Sequence, residues 1–177
     1  MKTSKLFLTI TCAFIMLLSI NIQAQDFPGL NKSPMDAASY PTSYKVSDKA
    51  VKVVYSRPQL KDRAVSKLAP NDKVWRTGAN EATEVSVFKP IKLGGQTIQP
   101  GTYSLFTIPG DSEWIIILSS DVNVWGSYGY NEANDVARIK APVSEGKTSL
   151  EAFSIAFTDD AMHLGWGTVR VTVPFSI

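Results

Sequence analysis

The chain has 177 residues, 18 of them basic and 16 acidic, with one cysteine (Cys12) and one histidine (His163). That length suits one domain with a core large enough to hold itself together. A single cysteine excludes a disulfide framework, and a single histidine leaves no set of His or Cys ligands for zinc. The balanced charge, with no basic patch standing out, gives little electrostatic reason to bind nucleic acid.

Residues 1–24 read as a cleaved secretory signal peptide. Lys2 and Lys5 precede an apolar run from Leu6 to Ile20, and Ile22-Gln23-Ala24 ends in a small residue before Gln25. Basic start, apolar middle and small-residue end are the layout of an export signal. A membrane anchor needs roughly 20 apolar residues; this run is shorter and is broken by Thr9, Thr11 and Ser19. Cys12 lies inside the run, so it is not read as a lipid-attachment cysteine. Cleavage after Ala24 leaves 153 of the 177 residues, with 16 basic against 16 acidic side chains and no cysteine. The expected product is periplasmic or extracellular, with no membrane span, no cofactor and an oligomeric state left open.

Residues 25–43, rich in Pro, Ser and Asn, read as an extended arm, with an edge strand expected near Tyr40 to Tyr44. Val51, Val53 and Tyr55 then alternate with Lys52, Val54 and Ser56, the period-two signal of a half-buried strand. Arg57-Pro58 stops it, because proline cannot donate to a ladder. Gln59 to Asp72 is irregular apart from one helical turn over Ser66 to Ala69. A strand resumes at Glu84 to Phe88, and Ile91 to Ile98 around Gly94-Gly95 predicts a tight hairpin. Thr102 to Ile108 is a strand between the Pro100-Gly101 and Pro109-Gly110-Asp111 turns. Trp114 to Leu118 is an apolar run that predicts a central strand buried on both faces. Asp121 to Asp135 reads as a loop, Val136 to Lys140 as a short strand, and Leu150 to Phe157, Met162 to Trp166 and Val169 to Phe175 as the last strands. Short strands with frequent turns and no long amphipathic helix predict an all-β fold. The preferred architecture is an antiparallel two-sheet β-sandwich over residues 44–177 with long loops at 57–74 and 119–135; a barrel-like variant is the alternative.

Much of the chemistry is bounded by absences. His163 lies in a strand opposite its apolar neighbours, as a surface histidine would, and Gly94-Gly95 opens no helix to cradle a phosphate. Asn131-Glu132-Ala133-Asn134-Asp135 lacks the spaced acidic pattern of a calcium loop. What stands out is Val74 to Thr83, Val-Trp-Arg-Thr-Gly-Ala-Asn-Glu-Ala-Thr, a concentration of polar and aromatic types that core packing alone does not require.

Ser56-Arg57-Pro58, Arg63 and Trp75-Arg76-Thr77-Gly78-Ala79-Asn80-Glu81-Ala82-Thr83 together resemble the signature of an exported bacterial family, the domain of unknown function DUF2911. Pro100 to Pro109 is similar to a second block of it, and Trp125-Gly126 with Tyr130, Asp135 and Arg138 to a third. Leu164, Trp166-Gly167 and Pro174-Phe175 resemble its C-terminal end. Ala64-Val65-Ser66 stands where the family often has Ile-Phe-Gly. The resemblance implies export, a β-rich domain and a Bacteroidetes-like source; it brings no reaction, ligand or catalytic residue.

The ligand-binding candidates are therefore Arg57, Arg76, Asn80, Glu81, Trp125, Tyr130, Asp135 and Arg138. Three readings compete for them. In the first, Arg57, Arg76 and Glu81, with Asp135 or Arg138, form an ion-pair network that pins a loop to the fold. In the second, Arg76, Asn80 and Glu81 join the Trp125–Tyr130 loop as a platform for a glycan or peptide; its counterpart has Trp125 and Tyr130 folded back as a cap on the core. In the third, Glu81 and Asp135 divide acid and base roles in a hydrolase, with Arg57 or Arg76 holding an anionic group.

Overall fold

The computed structural model describes residues 25–177; the predicted signal peptide lies outside them. Of the two units into which the chain divides, Met1–Leu30 and Asn31–Ile177, the second carries all the regular structure described. Its strands are β1 (Met35–Tyr40), β2 (Val51–Ser56), β3 (Thr83–Val87), β4 (Ile91–Leu93), β5 (Gln96–Ile98), β6 (Gly101–Ile108), β7 (Glu113–Ser119), β8 (Asp135–Phe157) and β9 (Ala161–Ser176). One helical turn, α1 (Val65–Leu68), and a 3-10 turn at Glu132–Asn134 complete it. Among the described residues no helix is long and apolar enough to cross a membrane.

The all-β expectation holds, whereas a division into two sheets is not confirmed. The nine strands form one antiparallel sheet in the order β1-β2-β3-β6-β7-β8-β9-β4-β5. It is continuous because β8 serves both halves: Asp135 to Pro142 pairs with β7, and Val143 to Phe157 with β9. Val136 to Lys140 and Leu150 to Phe157, expected as separate strands, are parts of this one strand, and Pro142 to Ser149 between them has neither alternation nor a continuous apolar face. Register irregularities on either side of Leu150 absorb that stretch without ending the strand. The sheet is not closed into a barrel. The edge strand expected near Tyr40 forms earlier, over Met35–Tyr40, and pairs with β2.

Alternation places one face of the strands in a single core. Val51, Val53 and Tyr55 of β2, Leu105 of β6, Ile116 and Leu118 of β7, and Phe153 and Ile155 of β8 all contribute to it. Aromatic rings tie the two halves together: Trp75 stacks on Trp166 with centroids 5.5 Å apart and meets Phe153 edge-on at 5.0 Å. Tyr40 of β1 likewise meets Phe175 of β9 at 5.0 Å. Such pairs add about 0.5–1.5 kcal/mol beyond the area they bury. The strand Trp114 to Leu118 is central as predicted, with Ile116 and Ile117 both fully buried on opposite faces.

Ile117 and Phe106 face away from the main core and are buried nonetheless. Tyr130, from the loop after β7, packs edge-on against Phe106 at 5.2 Å. This loop is therefore a cover over the outer face of the central strands.

Candidate ligand-binding cleft

Trp75 organises the polar block. Its backbone exchanges two hydrogen bonds with Thr107 of β6, at 2.7 and 2.9 Å, which commits its ring to the core. The following turn closes on itself: Thr83 N donates to Arg76 O at 3.1 Å, and Thr83 Oγ1 donates to Thr77 O at 2.7 Å. Thr77 Oγ1 lies 3.2 Å from Thr107 Oγ1, both buried. Gly78 fits closely, since a Cβ there would sit 3.0 Å from Ser56 O and 3.2 Å from Thr83 Oγ1. Packing and turn closure thus account for Trp75, Thr77, Gly78 and Thr83.

Arg76 and Asn80 do something else. With Lys32, Gln59, Lys61 and Arg63 they line an open cleft of ≈ 440 Å³ floored by Pro58, Leu68 and Ala79. Nε of Arg76 is buried with no protein hydrogen-bond partner. Among the described residues Arg76 joins no ion pair; those present use Arg57, Lys89, Arg138 and Lys140. The predicted network of Arg76 with Glu81 is not formed. Asn80 adopts a left-handed backbone (φ 62°), and its carbonyl accepts from Gly126 N at 3.0 Å.

The rim opposite is a strained turn. Lys61 and Asp62 both have positive φ, 48° and 62°, the pattern of a type I′ turn that glycine and asparagine normally supply. Arg63 N donates to Leu60 O at 3.1 Å, and the Arg63 side chain braces the turn through Nε to Leu60 O (2.8 Å) and one terminal nitrogen to Gln59 O (2.9 Å). Glu151 Oε1 accepts from Lys61 N at 2.8 Å. Lys61 and Gln59 carry no signal in the sequence that marks them; Arg63 belongs to the signature block, so its place here was the nearest to being legible.

The remaining candidates sit elsewhere. Arg57 is an anchor: Nε donates to Phe153 O (3.0 Å), and the terminal nitrogens to Ser154 Oγ (2.7 Å) and Asp36 Oδ2 (2.9 Å), fastening β2 to β1 and β8. Glu81 and Trp125 are bridged through their backbones, flanked by Ala82 N to Val124 O at 3.0 Å. The Trp125 loop does meet the polar block, but its ring is 62% exposed and is not among the cleft's lining residues. Of the two aromatics expected to cap, Tyr130 does so and Trp125 does not.

Tyr130, Asp135 and Arg138 form a compact triad. Tyr130 Oη and an Arg138 terminal nitrogen both donate to Asp135 Oδ2, at 2.7 and 2.6 Å, and the same Arg138 nitrogen donates to Tyr130 Oη at 2.8 Å. Residues three apart in a regular strand face opposite ways. A register shift beside Ser119 leaves Val136 unpaired and turns Asp135 to the face of Arg138. Burial, then the bond to Asp135, pushes the Tyr130 phenol up to about 12. The bond to Asp135 raises Arg138 as well. Asp135 does not line the smaller cleft of ≈ 210 Å³ that holds Glu81, Glu84 and Ser104, so the two carboxylates of the hydrolase reading occupy different settings. His163 places its ring nitrogens 3.1 Å from Thr158 Oγ1 and Thr172 Oγ1. Among the described residues no group of three His, Cys, Asp or Glu is placed to hold a metal.

The polar turn, the covering loop and the triad fall in the blocks noted from the sequence, and a family model described as "Protein of unknown function (DUF2911)" matches residues 33–175. The chain is a member of the DUF2911 family. No curated protein and no solved structure matches it. Within this DUF2911 domain the signature blocks divide by role: Trp75, Thr77, Gly78 and Thr83 shape the turn, Arg57 and the triad brace the sheet, and Arg63, Arg76 and Asn80 reach the cleft.

Proposed function

We propose that the protein is an exported binding module whose ligand site is the cleft between the Arg76–Asn80 turn and the Leu60–Arg63 turn. The observation that carries this reading is Arg76: a guanidinium with a buried Nε and no protein acceptor, in a cleft of a size that suits small ligands. Buried donors in native proteins are nearly always paired, so an acceptor from solvent or ligand belongs there. The strained Lys61-Asp62 backbone supports it, because such conformations concentrate where function compensates for their cost. Export rests on the layout of residues 1–24.

A glycan and peptide array run with wild type, Arg76→Ala and Asn80→Ala tests the reading. At least one hit weakened by both substitutions is the expected result; hits indifferent to both would remove the cleft as the site. Stability separates site from scaffold. Arg76→Ala leaves Tm within about a degree, as for a side chain bonded to no protein atom, whereas Arg57→Ala loses about 1–3 kcal/mol and several degrees.

A further inference from the structure

We infer that the ligand of this cleft is an acidic saccharide, a hydroxyl-rich ring carrying a carboxylate or sulfate; the inference rests on the cleft being the binding site. Charge is the first ground. Lys32, Lys61, Arg63 and Arg76 all line the cleft, no acidic side chain does, and among the described residues none of the four joins an ion pair. The chain as a whole is nearly balanced at 18 basic to 16 acidic residues, so four uncompensated cations around one cleft are a local arrangement. Their mutual repulsion is relieved by an anion, and a focused positive field draws one in. Glu151, a nearby carboxylate, is outside the lining and has one oxygen taken by Lys61 N.

The second ground is what the walls offer besides charge. A peptide is held mainly by backbone ladders on an open strand edge. Here none of β1 to β9 contributes a lining residue, so the cleft presents no strand edge, and the N–H groups of Lys61 and Arg63 are already bonded, to Glu151 Oε1 and Leu60 O. The neutral polar side chains of the lining are Ser33, Gln59 and Asn80, a hydroxyl and two amides that both donate and accept, as ring hydroxyls do. No aromatic ring lines the cleft, so stacking is not available to hold an uncharged sugar there. Arginine matches the planar oxyanion of a carboxylate or sulfate with two parallel donors.

Calorimetric titration of the protein with four probes decides the matter: tri-galacturonate, its fully methyl-esterified and hence neutral form, a sulfated disaccharide, and tri-aspartate. One or both acidic saccharides bind at least about tenfold more tightly than the ester, and that affinity falls with added salt. Arg76→Ala removes at least about tenfold of it. Lys61→Gly, a change that suits the left-handed backbone and raises Tm, weakens binding too. If the ester binds within about threefold of the acid, the charge argument is overturned while the cleft stands. Tri-aspartate binding as tightly as the better saccharide overturns the saccharide class. If neither acidic saccharide binds, the inference fails outright, and the array with Arg76→Ala judges the cleft separately.

Discussion

Arg57 and Arg76 belong to one signature and look interchangeable in it, yet they have opposite fates. Arg57 bonds through all three of its nitrogens, to Phe153 O, Ser154 Oγ and Asp36; Arg76 finds no acceptor for its buried Nε. Nothing in the letters separates them, because two of the three partners of Arg57 lie 96 and 97 residues further along the chain. The Asp135–Arg138 pair was hidden for a different reason. Only the shifted register beside Ser119 brings residues three apart onto one face, and a single bulge leaves no compositional mark. The triad has a measurable signature. Because the folded Tyr130 phenol titrates at about 12 rather than 10, it holds its proton where the unfolded chain has lost it. The stability it lends is complete below pH 10 and is lost as pH rises toward 12. Tyr40 and Tyr55 are shifted in the same direction, so all three contribute to the fall. Urea unfolding at pH 9 and pH 11 should show a smaller loss between the two for Tyr130→Phe than for wild type.

Elements bounded by glycine and proline were legible. The β4–β5 hairpin turns at Gly94-Gly95, both with positive φ, and β6 begins after Pro100 as its turn signal required. Gly94 is constrained twice, by φ and by space, since a Cβ would lie 2.1 Å from Ile139 Cγ2. Gly94→Ala should therefore destabilise by about 2–4 kcal/mol, combining backbone strain with overpacking. Gly95→Ala, whose Cβ meets nothing within 4 Å, should lose only about 1–2 kcal/mol for its left-handed backbone. Thermal unfolding of the two variants side by side measures the difference. β8 was the element least legible in the sequence. Its middle, from Pro142 to Ser149, is polar and exposed along much of its length, and a period-two reading needs a buried face to register against.

For the whole molecule, fold class followed from strand signals, but the number of sheets did not. Whether two sets of strands are joined depends on a strand that bends from one set into the other. That is a matter of long-range pairing rather than local pattern. The core spans both halves and ends on Phe175, which touches Tyr40 of the first strand and Phe157 of β8. Phe175→Ala should lower stability by about 3–5 kcal/mol in one cooperative transition, seen as coincident loss of far-UV and aromatic circular dichroism. The same arrangement has a consequence in time. Strands β1, β2, β3, β6 and β7 can zip together as the chain is made, but the β4–β5 hairpin waits for β9, Trp75 and Phe153 wait for Trp166, and Tyr40 waits for Phe175. Until the last dozen residues are synthesised, the inner face of the growing sheet has no lid. A chain released early presents a broad sticky surface rather than a smaller working domain, and a holding chaperone has its whole length to guard.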